Sequence, residues 1–131
     1  MQTGANAKGD LPRSPFKEKH AFMEYEKDLG SSSEKQQLLV SELEAINILN
    51  VDKYLRTCWR KIITDEVAEL FSWKGTGTKS SAIGLATTAA IRSACRQKFN
   101  SDEEVFISVS KKHFQNAHDR QKKIPAYRQK R

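Results

Sequence analysis

Apolar residues recur at intervals of three and four along most of this chain, the spacing that places them on one face of a helix. The clearest stripe consists of Leu38, Leu39, Leu43, Ile46 and Leu49. It predicts a helix over residues 34–49. Ser31 and Glu34 before it have the spacing of a capping box, which satisfies free backbone N–H groups of the first turn.

Similar stripes predict helices over most of the remaining chain. They cover residues 18–29, 53–63 after the candidate cap Asp52, a short stretch after Thr64, 86–98 and 102–122. The last begins with a second capping-box pattern at Ser101-Asp-Glu-Glu104, which favours a helix over a strand for the β-branched run at 104–110. No β-alternation of useful length occurs, so the predicted fold is all-α, a compact single domain of five to six helices.

The two ends differ from the middle in composition. Residues 1–17 are rich in Gly, Pro and small polar residues and predict a disordered leader. The helical domain is predicted over residues 18–124. Pro125 cannot continue a helix, so residues 125–131 are predicted to form a basic tail.

Several functional classes are disfavoured by the residues present. No apolar run in the 131 residues approaches the roughly 18 needed for a membrane span, and no apolar signal core follows the first methionine. Cys58 and Cys95 lie in apolar helical patterns, which predicts buried reduced thiols and a reducing compartment. His20, His113 and His118 have no metal-ligand spacing, and no nucleophile lies in a glycine elbow. We therefore expect no enzymatic activity, no metal, no cofactor and no membrane partner.

Charge is distributed very unevenly along the chain. The net charge is +7, and residues 111–131 alone carry eight Lys or Arg against Asp119. Residues 18–69 carry a net charge of −4. This asymmetry favours contact with a polyanion at the C-terminal end, and the alternative is a solvated basic tail. The basic residues of 53–63 also allow two interpretations. They either contact phosphate or are neutralised by nearby acidic residues.

The centre of the chain holds a distinctive loop, Phe71-Ser-Trp-Lys-Gly-Thr-Gly-Thr-Lys79. Its two glycines permit backbone conformations that side chains oppose. Lys74 and Lys79 are placed to grip phosphates. Trp73 either stacks on a base or anchors the loop on the core, and the second interpretation is preferred. The glycine spacing matches neither type of nucleotide-binding loop.

The run from Tyr54 to Phe99 resembles an uncharacterised domain-of-unknown-function family of arthropod and cnidarian proteins. The resemblance is carried by Thr64-Asp-Glu-Val-Ala-Glu-Leu-Phe-Ser-Trp-Lys-Gly75, which is similar to that family's Ser-Trp-x-Gly core. It extends back to Phe22 and supports a fold more than an activity.

More distantly, the same region is similar to BEN domains, compact all-helical modules that bind DNA in chromatin and transcription proteins. The counterparts here are Ile63–Phe71, the Trp73 loop, 86–99 and 102–122. The sequence departs from the BEN pattern at Ile83-Gly84-Leu85-Ala86, where a Leu-Asp pair is usual.

The resemblance implies a nuclear module that contacts duplex DNA through its last helix and adjacent loop, in transcription regulation or chromatin. The candidate DNA-binding residues are Lys74, Lys79, Lys111, Lys112, Gln115, Asn116, Arg120, Lys122 and Lys123. Lysine and arginine would neutralise phosphates, and Gln115 and Asn116 are types that read adenine edges. The alternative is a protein-interaction or self-association module that uses the acidic 18–69 surface. RNA binding is a third possibility, disfavoured by the small number of exposed aromatic candidates.

Overall fold

The computed structural model describes residues 11–100 and 102–122 of the chain. Within them, there are seven helical segments and a two-stranded parallel sheet of only four residues, which confirms the predicted all-α class. The helices are α1 Lys19–Gly30, α2 Ser33–Glu44, α3 Val51–Ile62, α4 Asp65–Ala68, α5 Ala86–Phe99, α6 Glu103–Gln115 and α7 at 117–122. The strands are β1 Phe71–Ser72 and β2 Ser80–Ser81. Within the described residues, none of the helices combines the length and apolar character that crossing a membrane requires.

Short polar side chains start three of the helices. Ser32, Asn50 and Thr64 each accept a hydrogen bond from a backbone N–H three residues later. Thr64 was the predicted cap of its helix. The other two caps differ from the predicted Ser31 and Asp52 by one and two positions, because several neighbouring residues are chemically able to cap. Ser101, at the start of the second predicted capping box, lies outside the described residues.

The predicted helix over 34–49 is too long at its C-terminal end. Helix α2 ends at Glu44, and Leu49, predicted on its apolar stripe, is 87% exposed. A tertiary contact stabilises this earlier end: Lys98 of α5 donates its ammonium N–H to the carbonyl oxygen of Glu44 (3.1 Å) and so satisfies one of the free carbonyls at the helix end.

Helix α5 occupies the centre of the fold and packs against α1, α2, α3 and α6. The apolar stripe of this helix, which was predicted over residues 86–98, is buried and consists of Ala90, Ile91, Ala94 and Cys95. Small side chains let neighbouring helices approach closely, which explains how one helix accommodates four neighbours. Cys58 and Cys95, the two thiols predicted to be buried, are both buried, and burial raises the pKa of Cys58 to about 12.

Residues 11–17 do not form part of a disordered leader. The Phe16 N–H donates to the Ile62 carbonyl (2.8 Å), and the Thr64 N–H donates to the Phe16 carbonyl (3.0 Å). The Phe16 ring also packs against Tyr25, with ring centroids 5.0 Å apart. The backbone groups at the end of α3 and the aromatic surface of α1 therefore hold this segment together. Residues 1–10 and the predicted tail 125–131 lie outside the described residues.

Candidate nucleic-acid interface

The loop between β1 and β2 is held in shape by hydrogen bonds within the loop and by two glycines. Gly75 and Gly77 have φ of +81° and +56°, the left-handed region that favours glycine. The Gly75 N–H donates to the Ser72 hydroxyl (2.9 Å), and the Lys79 N–H donates to the Thr76 carbonyl (2.8 Å). These bonds fix the loop that carries Lys74 and Lys79, both exposed.

Trp73 anchors this loop on the core, as the preferred interpretation of the sequence predicted. Its side chain is 5% exposed and packs edge-on against Phe106, with centroids 6.0 Å apart. The Trp73 carbonyl accepts hydrogen bonds from the Ser81 hydroxyl (3.2 Å) and the Ile83 N–H (2.9 Å). The indole is therefore committed to the core rather than free to stack on a base.

A groove of about 630 Å³ separates this loop from the second half of α6. We call it the loop groove. Four of the candidate residues line it: Lys74 and Lys79 from the loop, and Lys111 and Gln115 from α6. Phe71 and Phe114 form part of its wall. The fold thus brings together residues that are more than thirty positions apart in the chain.

Other candidates lie along the other edge of the exposed face of α6. A larger groove of about 810 Å³, the α3–α6 groove, is lined by Lys112, Asn116 and Arg120, together with Arg56 and Arg60 of α3. Asp52, Glu104 and Asp119 also line it. The predicted surface is therefore divided between two grooves that flank one helix. The sequence showed that α3 has a basic face. Only the packing of the helices shows that its two arginines line the same groove as residues of α6.

Arg120 has a structural role within the fold. Its guanidinium pairs with the Asp65 carboxylate at 2.7 Å, and the two side chains are only 19% and 21% exposed. This pair binds α7 to α4. The predicted helix over 102–122 in fact breaks at Asn116, and α7 continues after the break.

A second contact reinforces this attachment of α7. The His118 ring nitrogen Nδ1 and the Glu69 carboxylate are 2.6 Å apart, and Gln121 donates to the other carboxylate oxygen. Hydrogen bonds from His118 and Gln121 hold the pKa of Glu69 below its ordinary value. Lys122, near the end of the described residues, is exposed, and Lys123 lies outside them.

His113 is the least expected side chain in this region. It is 2% exposed and lines the α3–α6 groove, yet neither ring nitrogen has a hydrogen-bond partner among residues 11–100 and 102–122. The ring lies nearly parallel to Trp59, with centroids 6.2 Å apart. Burial, aided by the charge of Arg120, lowers the pKa of His113 to about 3, so the imidazole is neutral.

Across residues 11–100 and 102–122, no three side chains of His, Cys, Asp or Glu are grouped closely enough to hold a metal ion. Comparisons of the chain with protein-family models, with curated proteins and with solved structures gave no significant match.

Proposed function

We propose that this protein is a duplex DNA-binding module of a nuclear protein that acts in transcription or chromatin. The observation that carries the proposal is the loop groove, in which Lys74 and Lys79 face Lys111 across one cleft. Three exposed ammonium groups around a groove suit a phosphate backbone. Neutralising phosphates with lysine releases bound counterions, which supplies affinity without sequence preference.

The exposed face of α6 supports the same function. Ser108, Lys111, Lys112 and Gln115 are all exposed on it. An α-helix with its side chains is about 10–12 Å across, and the major groove of B-DNA is about 12 Å wide. In that position the lysines would meet phosphates, while the Gln115 amide would reach base edges and bond the N6 and N7 atoms of adenine.

The test is a titration of fluorescent duplex DNA at a series of salt concentrations. The variant carries Lys74→Ala, Lys79→Ala and Lys111→Ala. The matched control carries Lys17→Ala, Lys27→Ala and Lys53→Ala, three exposed lysines that do not line the loop groove. We expect the first variant to bind more weakly, with a slope of log K against log salt shallower by about 3. The control should keep most of both the affinity and the slope.

A folded groove variant that binds duplex DNA like the control would contradict the proposal. Gln115→Ala adds a second readout, since it should change the preferred sequence in a selection from a random pool and leave the salt slope unchanged. A wild-type protein without affinity for DNA that forms concentration-dependent oligomers would favour the self-association alternative. The exposed Leu49 beside acidic α2 is the feature that supports this alternative.

A further inference from the structure

Helices α3 and α6 run in the same direction along the α3–α6 groove. Asp65 follows the end of α3 by three residues, Arg120 follows the end of α6 by five, and the two side chains are paired. Both C-terminal ends therefore lie at the same end of the groove. Trp59, near the end of α3, also contacts His113 and Phe114, near the end of α6.

The parallel arrangement separates the charges that line this groove. Asp52 and Glu104 come from the first turns of the two helices and lie at one end. Arg56, Arg60 and Lys112 come from later turns and lie toward the other, basic end. Asp119 is the acid that follows α6 there, and Arg120 is already paired with Asp65.

The three cations of the basic end are available to a ligand. Arg56, Arg60 and Lys112 are exposed, and none of them forms a salt bridge with any other residue in the described part of the chain. The Arg56 Nε donates to the Asp52 carbonyl at 3.3 Å, a long bond, and the remaining guanidinium donors have no partner among the described residues. Arg60 also borders the contact between α3 and the 11–17 segment, beside Arg13 and Lys61, so the basic surface continues there.

His113 provides an independent indication that this groove receives a polar ligand. A buried polar group without a partner destabilises the folded state, and such groups are rare in folded proteins. The unpartnered imidazole lines the groove in which the cations lie. A neutral imidazole has one donor and one acceptor nitrogen, so it can bond an anion or its bridging water without adding charge.

We infer that the basic end of the α3–α6 groove is a second phosphate site, in which Arg56, Arg60 and Lys112 hold a backbone phosphate of the duplex. This inference rests on the proposed function. It adds an orientation: Lys74 and Lys79 lie on one side of α6, and Arg56 and Arg60 lie on the other. With α6 in the major groove, the loop contacts one DNA strand and α3 contacts the opposite strand.

The first experiment compares Arg56→Ala/Arg60→Ala with the control Lys17→Ala/Lys27→Ala, which removes the same charge away from both grooves. Both are titrated with the same fluorescent duplex over a range of salt. We expect the arginine variant to have a slope shallower by about 2 and the control to keep the wild-type slope. If the wild-type protein binds and the arginine variant keeps its slope, the second site is refuted and the proposed function stands. If the wild-type protein binds no duplex DNA, both the second site and the proposed function are refuted.

The second experiment tests the orientation. A bound duplex is made with single methylphosphonate linkages, each of which removes one phosphate charge. A neutralised phosphate that weakens wild-type binding should have no further effect once its protein cation is removed. We expect the phosphates that are coupled to Arg56 and Arg60 to lie on one strand. The phosphates coupled to Lys74 and Lys79 should lie on the other strand. Coupling of both pairs to a single strand would overturn the inferred orientation.

Discussion

Trp59 donates its indole N–H to the Ser110 hydroxyl at 3.0 Å, inside the interface between α3 and α6. Both residues are fully buried. The bond fixes how α6 is rotated on α3, because Ser110 must face the Trp59 indole. Lys111 and Gln115 then border the loop groove, whereas Lys112 and Asn116 border the α3–α6 groove. One buried hydrogen bond thus helps determine which candidate residues share a surface.

Replacing Ser110 by alanine should destabilise the protein substantially. The Trp59 N–H would remain buried without an acceptor, which costs about 1–3 kcal/mol of unfolding free energy. Urea denaturation followed by tryptophan fluorescence measures the change. The control is Ser108→Ala on the exposed face of the same helix, which should stay within about 0.5 kcal/mol of wild type. Equal stability of the two variants would show that the indole bond contributes little.

Gly75→Ala should distort the loop that carries Lys74 and Lys79. An alanine at φ +81° is strained by about 1–2 kcal/mol, and its Cβ would lie 3.2 Å from the Ser81 backbone nitrogen. We expect lower stability together with weaker duplex binding. Gly84→Ala is the matched control, since its added Cβ has no neighbour within 4 Å and its φ is not positive. A Gly75→Ala protein that matches this control in both measurements would contradict the prediction.

Stability should fall in mild acid because of His113. In the unfolded chain its pKa is about 6.5, whereas in the folded protein it is about 3. Between these values the unfolded chain binds a proton that the folded protein does not, so unfolding becomes more favourable as the pH falls. The cations Arg120, Arg60 and Arg56 oppose protonation of the ring, and Asp65 favours it.

Because of His113, the free energy of unfolding should decrease by about 2 kcal/mol as the pH falls from about 7 to about 5. Denaturant unfolding over this range measures it. His113→Phe keeps an aromatic ring against Trp59 and should show a correspondingly weaker pH dependence. His20→Gln, an exposed control, should behave like wild type. An unchanged pH dependence in His113→Phe would mean that other groups cause the acid sensitivity.

Asp65→Asn should loosen α7. The change removes the charge partner of the half-buried Arg120 guanidinium, and a hydrogen bond to a charged group contributes about 1.5–3 kcal/mol. Hydrogen exchange of the 117–122 amides should become faster, while exchange in α5 changes much less. Glu66→Gln tests the loss of a neighbouring carboxylate from the same turn, and its side chain is exposed. Equal exchange of 117–122 in the two variants would refute the role of the pair.

The local features of the fold could be read from the sequence with good accuracy. The apolar stripe of α5, the Thr64 cap and the anchoring role of Trp73 all follow from side-chain chemistry within a few residues. Helix ends were less predictable, because the partner that satisfies the last carbonyl of α2 is Lys98, which is more than fifty residues away. The ordered segment 11–17 similarly depends on backbone groups at the end of α3.

The sequence by itself determined the all-α class, the buried faces of the central helices and the excess of positive charge toward the C-terminus. Periodicity identifies which face of a helix is buried, but it does not identify the neighbour that covers it. Tertiary structure alone decided that the basic candidates lie in two grooves on either side of α6, that Arg56 and Arg60 join one of them, and that Arg120 is paired with Asp65. The physical reason is that electrostatic and hydrogen-bond partners are selected by distance in space, which the spacing of residues along the chain does not contain.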